Sequence, residues 1–86
     1  MPELCRFYGI VITLNFNDHA PPHFHAAYGD ARVAMNIADA TVLRGWLPPQ
    51  AARMVREWAK RHRAELLRDW ELARAGAMPL AIEPLE

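Results

Sequence analysis

A carboxylate and three imidazoles fall within eight residues near the start of the chain, as Asp18, His19, His23 and His25. Residues two apart on an extended strand share a face, so His23 and His25 can approach one ion while His19 reaches in from the preceding loop. That set suits a divalent metal such as zinc or nickel. Without any cofactor, the same imidazoles can act as a general acid and base, because they titrate near neutral pH. A third reading is a solvated histidine loop held in shape by Pro21-Pro22. The H-x3-H-x-H spacing is not followed by the glutamate that zinc hydrolases use. In a metal-free acid–base version, His23 or His25 is the base, the other is the acid, and Arg32 holds phosphate charge.

Other reactive types are absent or differently placed. The sequence contains no serine and no glycine-rich phosphate loop, which excludes serine-nucleophile chemistry within the chain. The single cysteine, Cys5, sits beside an apolar strand and reads as a small hydrophobe. His62 falls in an apolar helical stripe and is expected to be partly buried against a backbone carbonyl, apart from the other histidines. Arg53, Arg56, Lys60 and Arg63 recur at spacings of three, four and three along one helix edge, where they could meet phosphates, DNA or an acidic partner. The alternative for these is a solvated face with intrahelical pairs such as Glu57–Arg61 and Arg61–Glu65.

The elements that must position these residues follow from periodicity. Residues 7–16 alternate, with Tyr8, Ile10, Ile12, Leu14 and Phe16 on one face and Phe7, Gly9, Val11, Thr13 and Asn15 on the other, and predict a strand ending at the Asn17–Pro22 loop. Strands over 23–28 and 31–37 flank Gly29-Asp30, a pair suited to a two-residue turn. That turn sets Tyr28 opposite Ala31, Ala26 opposite Val33 and Phe24 opposite Met35 on the core face. His23, His25 and Ala27 then oppose Asn36, Ala34 and Arg32 on the other, turned away from the core with Asn15 nearby. A fourth strand is expected over 41–46. Pro48-Pro49 opens a helix over 49–75, capped by Gly76, whose stripe is Ala51, Val55, Trp58, His62, Leu66 and Ala73, widened by Ala59 and Trp70. The expected fold is α+β: a small antiparallel sheet of three to four strands with one long amphipathic C-terminal helix on one face. Residues 77–86 form a short tail that could add an edge segment through Leu80 and Ile82.

The 86 residues fit a single domain with a single core, 52% hydrophobic and 23% charged, an ordinary globular balance. A chain this short buries only about 60–65% of its unfolded surface, so partner binding or self-association as a homo-oligomer could add to its stability. Net charge is zero, which disfavours non-specific coating of nucleic acid, although segment 49–75 carries seven basic residues against four acidic ones. One cysteine, no leader-like N-terminus and no membrane-length apolar run point to the cytoplasm.

The blocks Arg6-Phe7-Tyr8-Gly9-Ile10, Phe16-Asn17-Asp18-His19, Pro21-Pro22-His23-Phe24-His25, Tyr28-Gly29 and Leu47-Pro48, followed by Trp58, His62, Glu65-Leu66-Leu67 and Trp70-Glu71-Leu72-Ala73, carry a resemblance over nearly the whole chain. They are similar to the bacterial domain-of-unknown-function family 4160. The resemblance implies a small bacterial protein often encoded beside a family 2442 protein, in a two-gene arrangement like a toxin–antitoxin module. Members commonly carry an acidic residue where this chain has Ala27, so a mechanism needing a carboxylate there does not carry over. Two functions are expected. One is a toxin–antitoxin-like component whose histidine face acts on RNA or binds a ligand. The other is a non-enzymatic adaptor or transcriptional regulator that grips a partner protein or DNA through exposed Leu67 and the basic helix edge.

Overall fold

The computed structural model describes residues 2–86 and has an α+β fold of five strands followed by two helices. The strands are β1 (Glu3–Phe7), β2 (Ile10–Thr13), β3 (His23–Tyr28), β4 (Ala31–Asn36) and β5 (Val42–Trp46), joined as one antiparallel meander in chain order. The strand expected over 7–16 is therefore a correction: it is a hairpin. Tyr8 and Gly9, with φ of 50° and 81°, form its two-residue turn and set Phe7 opposite Ile10 and Cys5 opposite Ile12. Ile10, Ile12 and Leu14 share the core face as expected, whereas Tyr8, in the turn, and Phe16, past the end of β2, are exposed, and the turn brings Phe7 onto the core face instead.

The β3–β4 register agrees with the sequence reading at every pair, from His23 opposite Asn36 to Tyr28 opposite Ala31. Strand β5 pairs with β4 through a bulge, since Arg44 faces Ala34 and Val42 faces Met35, leaving Leu43 over. Two outward rows of side chains result. Thr13, His25, Ala34 and Arg44 form one, and Val11, Ala27, Arg32 and Trp46 the other.

The core face is covered by α1 (Pro49–Arg61) and α2 (Arg63–Arg74), so the single helix expected over 49–75 is in fact two. The interruption is at His62, whose φ of −115° and ψ of 25° end one helix and begin the next. Glu65 then occupies the first turn of α2, where a carboxylate favours a new helix start, and its Oε1 lies 2.6 Å from His62 Nδ1. His62 is thus partly buried as expected, but its partner is a carboxylate and not a backbone carbonyl. The stripe survives the break: Ala51, Val55, Trp58, Ala59, Leu66, Trp70 and Ala73 are all buried. Gly76, at φ 79°, caps α2, with its own amide donating to Ala73 and that of Ala77 to Leu72.

The tail runs back across the helices without forming a strand. Ile82 is buried and its amide donates to the Leu4 carbonyl at the edge of β1, Trp58 Nε1–H donates to the Glu83 carbonyl at 2.8 Å, and the Leu80 amide donates to Asp69 Oδ1 at 3.0 Å. Asp69 is 0% exposed and also receives Arg68 Nε–H, so a helix residue that looks like part of a solvated charge run is an internal anchor for the tail. No helix is long and apolar enough to cross a membrane.

Candidate functional site

The polar cluster forms where β2 leaves the sheet and β3 enters it. The loop between them is tied to the end of α2 by the Asn17 amide, which donates to the Ala73 carbonyl. Within the loop, Asp18 Oδ1 accepts the amide of His19, which fixes the carboxylate and points its second oxygen at the strand. That oxygen lies 3.0 Å from His23 Nε2 and 3.7 Å from His25 Nε2. Asn15 Nδ2 stands 3.3 Å from both Asp18 Oδ2 and His25 Nε2, so its two amide hydrogens can serve one acceptor each.

Two sequence expectations need correction here. His23 lies on the outward-facing parity of β3, yet it is only 4% exposed because α2 reaches the same end of the sheet and sets Trp70 with its ring centroid 5.3 Å from the imidazole. The His23 ring is therefore enclosed, not turned to the open face as expected. The cluster is also not the three histidines. His19 is exposed, with its amide committed to Asp18, and the ligand-type atoms that come within 4.8 Å of one another belong to Asp18, His23 and His25.

The electrostatics of the cluster follow from its burial and bonding. Burial alone would raise the Asp18 carboxyl, but the His19 amide, the charge of protonated His23 and the side-chain hydrogen bonds from Asn15 and His23 outweigh it and hold the group below its ordinary 3.8. For His25, burial and then the neighbouring His23 charge lower the imidazole below its ordinary 6.5, with Asp18 opposing them. His25 is accordingly neutral near pH 7.

His25 also walls a groove of about 560 Å³ on the uncovered sheet face. Small residues Ala27, Ala34 and Gly45 make its floor, while Thr13, Arg32 and Arg44 rise around it. Arg32 donates only to the carbonyls of Gly29 and Ala31, and among the described residues neither it nor Arg44 is paired with a carboxylate. Trp46 stands beside Arg32 on the next strand, 63% exposed. Arg44 and Trp46 were missed in the sequence because they reach this face only through the β4–β5 pairing. The periodic signal that places Arg32 there places them too, once β5 is paired.

The basic helix residues are less concentrated than their spacing suggests. Arg53, Arg56 and Lys60 line a shallow depression on α1 with Met54 and Glu57. Arg63 lies past the break, on α2, where its charge contributes to lowering Asp39 in the β4–β5 loop, after the stronger effect of the Thr41 hydrogen bonds. Of the intrahelical pairs expected, Glu57–Arg61 forms at 3.3 Å, and Glu65 turns to His62.

Cys5 is outside the site. Burial, and then the charge of Glu3, push its thiol from an ordinary 9.0 up to about 12. Native protein at pH 8 should therefore react with Ellman's reagent about three orders of magnitude more slowly than unfolded protein in urea. Equal rates in the two conditions would contradict the packing of β1.

A search of curated proteins and of solved structures finds no match to the chain. The family model described as Domain of unknown function (DUF4160) matches residues 9–71, a span that includes the Asp18–His25 cluster, every residue of the groove and α1. That match covers well over half of the sequence, and the chain therefore belongs to the DUF4160 family.

Proposed function

We propose that the open face of the sheet binds single-stranded nucleic acid, RNA in the first instance, and that the protein is one partner of a bacterial toxin–antitoxin-like pair acting in the cytoplasm. The observation that carries this reading is the groove with two unneutralised guanidinium groups, a neutral imidazole wall and an exposed indole at its rim. A cationic channel beside an aromatic platform holds a flexible phosphate chain, because the backbone is tracked by charge while a base stacks on the ring. Small side chains on the floor leave room for that chain to lie close to the sheet. The Asp18–His25 cluster at one end supplies the reactive groups in an enzymatic version.

Filter binding of a short single-stranded RNA across salt concentrations tests the reading. Replacing both Arg32 and Arg44 by glutamine should lower the slope of log affinity against log salt by about 1.4, at roughly 0.7 per lost phosphate contact. Trp46→Ala should weaken binding about tenfold or more, the loss of one stacked base. A triple Arg53→Gln, Arg56→Gln, Lys60→Gln variant should bind as the parent does. The opposite pattern, with only the helix variant affected, would favour an adaptor or DNA-binding regulator working through α1. Expression with and without a family 2442-like neighbour, scored for growth and co-purification, tests the pairing.

A further inference from the structure

We infer that Asp18, His23 and His25 form a binding site for a single divalent transition-metal ion of zinc-like preference, with open coordination positions toward the sheet-face groove. This assignment does not depend on the nucleic-acid reading. It rests first on where the ligand atoms point. His23 Nδ1 lies 2.8 Å from the Pro21 carbonyl, which can only accept, so Nδ1 carries a hydrogen and Nε2, 3.0 Å from Asp18 Oδ2, is the nitrogen that can exchange a proton for an ion. Asn15, whose amide donates to Asp18, also offers a hydrogen to His25 Nε2, which makes that nitrogen an acceptor. Three ligand-type atoms, Asp18 Oδ2 and two Nε2 atoms, lie within 4.8 Å of one another.

Without a metal, a proton between His23 and Asp18 satisfies the 3.0 Å contact and the Asn15 amide serves both Asp18 and His25. A divalent ion that displaces that proton and the Asn15–His25 bond can serve all three atoms at once. Metal–ligand bonds of about 2.0–2.1 Å at tetrahedral angles separate the ligand atoms by roughly 3.3 Å, and the two contact distances bracket that value. The supporting shell has the form that metal-bound histidines need. Pro21 fixes the His23 tautomer, His19 and Asn15 hold the carboxylate, and Trp70 stops the His23 ring from turning. Two nitrogens and one carboxylate oxygen suit zinc, nickel or cobalt better than magnesium or calcium. Three protein ligands leave at least one position for water or a phosphate oxygen, and His25 forms a wall of the groove beside that position.

The test is titration of chelator-treated full chain with zinc by calorimetry and with cobalt by visible absorption. The expected result is saturable uptake of one ion per chain, with cobalt bands in the visible of a low-coordinate N/O site. Asp18→Asn and His25→Ala should each weaken binding at least tenfold, and His19→Ala should leave it unchanged. Circular dichroism checks that the variants are folded. His25 is only partly enclosed, so His25→Ala serves where Asp18→Asn does not fold. Nitrogen-15 shifts of the imidazoles provide an independent readout, since a stoichiometric ion should move both Nε2 signals and neither Nδ1. No saturable uptake by folded parent protein would overturn the inference, and so would uptake indifferent to His25→Ala. A His23 ring that stays protonated at both nitrogens with zinc present would show that a proton alone holds the cluster together.

Discussion

Replacing Trp58 by alanine is expected to destabilise the protein by about 3–5 kcal/mol, which for a chain of this length is a large share of a total of roughly 4–13 kcal/mol. The indole is 0% exposed and touches both layers, with ring centroids 5.8 Å from Phe7 and 5.9 Å from Phe24 on the sheet and 5.4 Å from His62 at the helix break. Its N–H also donates to the Glu83 carbonyl, so the same side chain fastens the tail. The alanine variant loses all three functions and leaves a cavity at the centre of a small core. Trp58→Phe keeps most of the ring contact and drops only the bond to Glu83, so a smaller loss is expected, together with faster proteolysis within residues 77–86. Trp46→Ala, at an exposed position, should shift stability by no more than about 0.5 kcal/mol. Urea midpoints measure all three. Equal midpoints for the Trp58 and Trp46 alanine variants would mean that the core is not organised around Trp58.

The stripe that places Trp58 was readable in the sequence because helical periodicity continues in phase through the break at His62. The break itself was not, since no glycine or proline marks it. What ends α1 there and opens α2 is a local contact between His62 and Glu65, a pair that also fits an uninterrupted helix. The β3–β4 hairpin was legible down to its register, because Gly29-Asp30 and strict alternation leave one pairing that buries Phe24, Ala26, Val33 and Met35 together. The β1–β2 hairpin hid inside an alternating run. Its turn puts Tyr8 at positive φ, where asparagine or aspartate would have been the usual signal.

The site shows the same division. Period-two reasoning put His23 and His25 on one side of β3 correctly, but period says nothing about what crosses the end of a strand, and Trp70 encloses His23 there. In the loop no period holds at all. Asp18 captures the amide of His19, and that single hydrogen bond decides which of two adjacent residues joins the cluster. Asp69 was legible in principle: it lies about five full helical turns from Ala51 and so falls within the buried stripe. A charge at that phase called for an internal partner, and the Leu80 amide is that partner.

Gly45→Ala is expected to be the most damaging single-methyl change in the chain, and it bears directly on the groove. Gly45 has φ of 86° on β5, and a Cβ added there would come to 2.3 Å from the Arg32 carbonyl oxygen and 3.0 Å from Val33 Cα. Both neighbours are backbone of the paired strand, so relief requires β5 to move away from β4. Left-handed geometry alone costs an alanine about 1–2 kcal/mol, and forcing a methyl into packed backbone adds typically 1–3 kcal/mol. Gly76→Ala separates the two contributions, because Gly76 has φ of 79° but nothing within 4 Å of an added Cβ. Its loss should be the backbone part only. Since Arg44 and Trp46 flank Gly45, separating β5 also pulls a cation and the indole away from Arg32 and His25. RNA affinity should therefore fall in Gly45→Ala at temperatures where the protein is still folded, while zinc uptake at Asp18, His23 and His25, which lie on the other side of β4, should persist. Equal destabilisation by the two glycine substitutions would show that β5 does not approach β4 as closely as this packing requires. Loss of metal binding as well in a folded Gly45→Ala protein would show that the cluster depends on β5, although its ligands lie on β3 and the loop before it.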